Sequence, residues 1–357
     1  MQHDFCRRHA LTTPIVLAPM AGGPGTPELA AAVSEAGGLG SLGVNYLSPK
    51  QIEEAVARTR SLTQRTFAVN LFAPESTQPL SGNIDAARAF LAAFHSQLGI
   101  ASPSLPEHAG ENFEKQLEVV LGLRVPAVTF TMGIPSPSAI QNLKAQGAYL
   151  IGTATTVEEA ERIERAGFDA VVAQGSEAGA HRGTFLVTEE SALIGTMALT
   201  PQIVDAVSIP VIASGGIMDG RGIVAALALG AQAVQLGTAF LCCDEAGTSP
   251  EYRQALLDAR EDQTTLTRGF SGRLARGVRN EFIDQAEATD LEPLPFPWQN
   301  ALTRPMRQAA RVAERAGLQS LWAGQGLRML RKQTAAELMA RLKDEIEAGK
   351  QRLSTMG

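Results

Sequence analysis

The chain has 357 residues, 45% hydrophobic and 19% charged, enough apolar material for one large core and an added lobe. Its net charge of −6 is spread over mixed acidic and basic residues, with no basic block or aromatic–basic interleaving, which argues against nucleic acid, and no apolar run approaches bilayer length. Cys6, Cys242 and Cys243 have no metal-ligand spacing and suggest no disulfide framework, and the N-terminus lacks the apolar core of a signal peptide; the expectation is a cytoplasmic protein with no metal and no membrane partner.

Residues 14–18 (PIVLA) read as a first strand, ending in a Pro19-Met20-Ala21-Gly22-Gly23 loop where backbone can approach a ligand closely. Thr26-Pro27 then opens a helix with an apolar stripe at Leu29, Ala32, Val33 and Ala36, and Gly37-Gly38 closes it before a second strand at 39–42. The unit repeats. Ser48-Pro49 opens a helix to Arg60, and residues 66–71 (TFAVNL) form a third strand with Asn70 at its C-terminal end. Strands are expected at 125–130, 148–152, 168–173, 209–213 and 233–236. Thr155-Thr156-Val157-Glu158-Glu159 reads as a capping sequence for the helix ending at Gly167. Eight parallel, non-alternating strand candidates favour a closed α/β (β/α)8 TIM barrel over a doubly wound sheet, and no dinucleotide fingerprint follows the first strand.

Two stretches break the rhythm. Residues 73–123 hold a polar loop at 74–82 and helical stretches at 86–98 and 111–121; residues 244–322 hold a helix at 251–259, the polar run Ser271 to Gly277 and a proline-rich run at 293–298. Loops this long are usually lids or small lobes. The expected division is a barrel of 1–72, 124–243 and about 323–357, with a smaller, mainly helical cap of about 73–123 and 244–322. The last helix, from Ala335, presents Leu338, Leu342 and Ile346 on one face and is expected to pack outside the barrel.

The chemistry sits at the strand ends. The sixth strand runs into Gln174-Gly175-Ser176-Glu177-Ala178-Gly179-Ala180-His181-Arg182-Gly183. That loop is either an active-site imidazole with amides around it or a glycine turn with a solvent-facing histidine. The seventh strand ends in Ser214-Gly215-Gly216, before a helix near Asp219, and the eighth in Gln235-Leu236-Gly237-Thr238. Glycines on these consecutive strands allow backbone N–H groups to converge on a phosphate, a helix dipole favours the charge, and Thr238 can add a donor. Sugar-phosphate isomerases and flavoenzymes share such a site. The amides of Asn70 and Gln174 would suit the ring edge of an isoalloxazine, with Pro19 and Met20 as an apolar wall.

The runs PIVLAPMAGG, FAVNLF, AQGSEAGAHRGTF, SGGIMDGRGI with VQLGTAF, SGRLARG and WAGQG together resemble the class I nitronate monooxygenases, over Pro14 to Gly326 and in the same order. The resemblance implies a TIM barrel with a cap, bound FMN, no metal, and oxidative denitrification of alkyl nitronates such as propionate 3-nitronate, or of nitroalkanes, by O2. It implies FMN contacts at Asn70, Gln174, Gly179, Gly216 and Gln235 to Thr238, and a catalytic role for His181. A neutral imidazole there would take the acidic α-proton of a nitroalkane, or position a substrate arriving as nitronate. Small-molecule partners are expected, with room for a homodimer. The alternative on the same frame is an FMN-dependent NAD(P)H reductase of quinones or of enoyl-acyl carrier protein.

The chain departs from the family pattern in three places. Ala180 replaces the second of two glycines before the histidine, which costs free energy if the backbone there needs positive φ. Thr131 stands where many members carry a second histidine. The loop at 74–82 has no match.

Overall fold

Eight parallel strands close into a barrel in the computed structural model, which describes residues 4–73 and 80–355. The strands are β1 (Ile15–Leu17), β2 (Gly40–Gly43), β3 (Phe67–Phe72), β4 (Ala127–Thr131), β5 (Tyr149–Ala154), β6 (Ala170–Gln174), β8 (Val211–Ser214) and β9 (Ala233–Leu236), interrupted in the chain by a short β7 (Ala180–His181). Their order is β1-β9-β8-β6-β5-β4-β3-β2, and a parallel bridge from Val16 to Leu39 joins the two ends. Strands buried on both faces need helices outside and apolar residues on either side, hence the continuous β-branched runs read from the sequence.

The helices follow the expected punctuation. Thr26 caps Pro27–Glu35, Ser48 caps Pro49–Leu62 in a reciprocal capping box with Gln51, and Thr156 caps Val157–Arg165. Phe113–Leu123 packs on β3 and on Pro49–Leu62, with Leu117 and Val120 in the main core. The last helix, Ala335–Ser354, lies against Gly220–Ala228 and Pro27–Glu35 and buries Leu338, Leu342 and Ile346. It therefore takes the place of the outer helix that β9 lacks directly after it.

The N-terminal end of the barrel is plugged by the short helix Asp4–Arg8. Phe5, Cys6 and Leu11 join Val16, Leu39, Ala68, Ile151, Val172 and Ile212 in one cluster. His9 is buried between Phe5 and Tyr149. His95 is buried too, with Nδ1 2.5 Å from the carbonyl of Ala101.

A separate aromatic core lies over the opposite end. It joins Leu91 and Phe94 of the helix Ile84–Gln97 to Phe270, Phe282, Leu294, Leu302 and Leu318. Beside it runs a ribbon that the sequence reading missed: β10 (Thr264–Thr267) pairs antiparallel with β11 (Ala275–Val278), and β11 with β7. The polar run Ser271 to Gly277, which shows no apolar alternation, thus turns into a strand. Of the loop at 74–82, residues 74–79 lie outside the described residues. No described helix is long and apolar enough to cross a membrane.

Candidate active site

Strand register brings the expected polar residues to one rim. Gln174 pairs with Ser214 and Ser214 with Gln235 at C-terminal strand ends, and Asn70 pairs with Thr129 two residues before the ends of β3 and β4. These ends open into a cavity of about 690 Å³. Pro19, Met20, Asn70, Gln174, Gly179, His181, Ser214, Gly215, Gly216, Gln235, Gly237 and Thr238 all line it. Leu236 does not: alternation turns its side chain into the core, where it is 1% exposed, and its carbonyl accepts from Ala18.

The glycine turns form a cradle. Gly215 and Gly216 hold φ of +120° and +69°, a conformation a side chain resists. Among the described residues, the N–H groups of Gly215, Gly216, Gly237 and Thr238 find no acceptor. Backbone donors left free beside a cavity call for an anion. The Thr238 hydroxyl accepts from Gly324 N at 2.9 Å and keeps its proton to donate. The helix Gly220–Ala228 contributes less than expected. Asp219 accepts from the N–H groups of Arg221 and Gly222, and Gly220 N donates to Glu345, so its first turn is already neutralised by carboxylates. The free backbone donors at this rim are those of the two glycine turns.

The histidine is held from several sides. It lies on β7, paired with Ala275 of β11, rather than in a free loop. Gln174 Nε2 donates to the His181 carbonyl at 3.1 Å, and Gln174 Oε1 accepts from Gly183 N at 2.7 Å. The next residue, Arg182, is fully buried and donates to the carbonyls of Gly175, Gln174 and Ala192 at 2.6–3.0 Å. Glu159, expected to complete a helix cap, serves the loop instead. One carboxylate oxygen accepts from Thr155 N and Oγ1, the other from Thr184 Oγ1, Phe185 N and Leu186 N. A fully buried carboxylate is tolerated because each oxygen is met by several donors. The tail loop closes over the same segment: Gln325 N donates to Glu177 O, and a Cβ on Gly179 would lie 2.6 Å from the backbone of Ala323 and Gly324.

The imidazole sits among aromatic rings, with centroids 6.4 Å from Phe72, 5.8 Å from Phe296 and 5.7 Å from Trp322. Its Nε2 lies 2.9 Å from Ser271 Oγ. Burial, then the charges of Arg273 and Arg307, push its pKa down to about 3, so the ring is neutral near pH 7. Asn70 Nδ2 donates to Thr129 and to Thr131 Oγ1, the hydroxyl that replaces the family's second histidine.

The far wall was not anticipated. Arg304, Arg307 and Arg311 recur at helical spacing on Trp298–Val312 and line the cavity. Arg304 stacks over Tyr46 at 5.4 Å, and Arg307 donates to Asn300 while its Nε stays unpartnered. No carboxylate among the described residues forms an ion pair with any of the three. The signal was the i, i+3, i+7 arginine spacing, hidden in a stretch assigned only to the cap. Ser271 was likewise visible only within SGRLARG.

The nitronate monooxygenase family model matches residues 5–345. A protein named as a probable nitronate monooxygenase from Staphylococcus haemolyticus is 44% identical over 336 residues, 94% of each chain. Among solved structures, the nitroalkane oxidase from Streptomyces ansochromogenes is 42% identical with a TM-score of 0.90, covering 96% of this chain and 98% of its own. FabK from Thermotoga maritima is 29% identical with a TM-score of 0.79 over the full length of both chains.

Proposed function

The chain belongs to the nitronate monooxygenase family, and from that premise we propose that its cavity is the active site of an FMN-dependent monooxygenase acting on nitronates or nitroalkanes with O2. The observation that carries the reading is the pairing, in one cavity, of a cradle of free glycine amides with a neutral histidine.

The residues fit FMN. The amides of Gly215, Gly216, Gly237 and Thr238 would hold the phosphate, and Pro19, Met20, Asn70, Gln174, Gly179, Ser214 and Gln235 would surround the rest. What flavin supplies when bound is acceptance of electrons from the nitronate and their delivery to O2. The protein's own work is to orient, enclose and move a proton. His181 takes the α-proton of a nitroalkane, and Arg304 and Arg307 attract the anion. The aromatic rings around His181 exclude water. The aromatic core of Leu91, Phe94, Phe270 and Phe282 supports a cap of about 73–123 and 244–322 over a barrel formed by the remainder, with Phe113–Leu123 belonging to the barrel side by its packing.

The test is the absorbance of the purified holoprotein under anaerobic conditions. Propionate 3-nitronate should bleach the flavin rapidly and NADH should not. The reductase alternative is measurable in the same experiment: bleaching by NADH alone would overturn the monooxygenase reading.

A further inference from the structure

The hydroxyl of Ser271 has one proton and two neighbours that could accept it. It lies 2.9 Å from His181 Nε2 and 3.0 Å from the carbonyl oxygen of Arg273, and it accepts from Arg273 N at 3.3 Å. Ser271 is 1% exposed, so no solvent stands ready to replace a lost bond. If the proton went to His181, the contact with the Arg273 carbonyl would lose its hydrogen. If the proton goes to the carbonyl, the lone pairs of Oγ receive Arg273 N–H and an N–H from the imidazole, and every contact is satisfied. The neutral ring then carries its proton on Nε2. Nδ1 has no partner among the described residues, yet it is not a sealed atom, and the ring lines the cavity.

We infer that Ser271 is a positioning residue that fixes His181 as the Nε2–H tautomer and so presents Nδ1 as the basic nitrogen that meets substrate. This rests on the reading of His181 as the residue facing substrate. It adds a direction to the chemistry. A lone pair at Nδ1 suits a neutral carbon acid: the α-C–H bond of a nitroalkane breaks, the proton goes to Nδ1, and the electron pair stays on the substrate as the nitronate. The same lone pair offers no hydrogen bond to a nitronate that arrives ionised, which leaves that anion to Arg304 and Arg307.

The test is the nitrogen spectrum of holoprotein labelled with 15N-histidine, with His181 assigned by its disappearance in His181→Asn. At neutral pH the expected signature is a protonated Nε2 and an unprotonated Nδ1. A ring protonated on Nδ1, or shifts averaged between both nitrogens, would overturn the inference. Ser271→Ala should move the shifts toward an average of the two tautomers, and Ser271→Thr, which keeps the hydroxyl, should restore Nε2–H. A signature unchanged in Ser271→Ala removes Ser271 from the account. These spectra need no turnover, so they fail or succeed apart from the flavin-bleaching test. Turnover supplies the second arm. Ser271→Ala should lower kcat/KM for nitroethane about tenfold or more relative to its effect on ethyl nitronate. Equal losses on both, or no nitroethane turnover by the unaltered protein, would remove the base assignment.

Discussion

The side-chain amide of Gln174, the last residue of β6, donates to the carbonyl of His181 at 3.1 Å. Its oxygen accepts from Gly183 N, so one amide brackets the histidine on both sides. The residue expected to touch flavin is thus also the clamp that transfers the barrel's rigidity to the imidazole. Gln174→Leu removes both bonds in a part-buried site, at a cost of about 1–3 kcal/mol. The variant should show a lowered Tm and a kcat reduced about tenfold, since misplacement of a catalytic group is expensive. Retention of full kcat would show that β7 alone positions His181.

Ala180 holds φ of +61°. The sequence raised this as a conditional cost, and the backbone meets the condition. An L-residue there costs roughly 1–2 kcal/mol, offset in Ala180→Gly by about 0.5–1 kcal/mol of extra unfolded-state entropy. Ala180→Gly should therefore match or exceed the parent in Tm by a degree or so, at roughly 2–4 °C per kcal/mol for a somewhat smaller domain. Ala180→Val should fall clearly below both, because a β-branched residue suits the left-handed region least. A Tm for the valine variant equal to that of the parent would contradict the strain.

The barrel was legible because each β/α unit announces itself locally, through a proline after a Ser or Thr cap, an apolar stripe, a glycine stop and a β-branched run. Gln174, Ser214 and Gln235 were legible as residues of one rim because strand ends in a parallel barrel meet there. What escaped depends on distant pairing. Arg276 faces Ala180 across nearly a hundred positions, and no local pattern in SGRLARG marks a strand. Glu159 has the spacing of a capping glutamate, yet tertiary donors at Thr184, Phe185 and Leu186 claim its carboxylate. Leu236 was drawn into the site by its neighbours, although strand alternation turns it into the core.

Glu159→Gln tests that tertiary claim. Replacing a carboxylate oxygen by an NH2 group sets donor against donor at Thr155 or at Phe185 and Leu186, leaving buried groups unsatisfied. A loss of about 2–4 kcal/mol is expected in denaturant unfolding, where each unsatisfied buried group costs about 1–3 kcal/mol. Loss of fixed structure in residues 183–187 should show as faster amide exchange. Protection equal to that of the parent would mean that Arg182 carries the loop without help.

Arg304 and Arg307 should act on affinity through charge. Burial, opposed by Tyr46 and reinforced by the weaker repulsion of Arg304, brings the Arg307 pKa down to about 10, so the guanidinium remains charged at pH 7. Arg307→Met should raise KM for propionate 3-nitronate, which carries a second anionic group, about tenfold or more, since a charged hydrogen bond is worth about 1.5–3 kcal/mol. The KM for ethyl nitronate should rise less. Equal changes for the two would place the carboxylate elsewhere, and Arg307→Lys separates loss of charge from loss of the Asn300 contacts.

A buried histidine, His9, and a half-buried one, His181, give stability a defined dependence on acid. Burial, then Arg273 and Arg307, hold His181 at about 3. Burial, then Arg8, hold His9 at about 4 against a weaker pull from Asp169. In the unfolded chain both titrate near 6.5. Above that pH both states are neutral and neither histidine contributes. Below it the unfolded chain binds protons that the folded chain refuses, so stability falls as pH drops, until about pH 4 for His9 and about pH 3 for His181. Denaturant unfolding should accordingly give a lower free energy at pH 4.5 than at pH 7.5. His9→Phe keeps an aromatic ring between Phe5 and Tyr149 and removes the titrating nitrogen. Its loss of stability between the two pH values should be smaller than that of the parent. Equal losses would mean that His9 escapes into solvent before it is protonated, and that the barrel plug opens without unfolding the barrel.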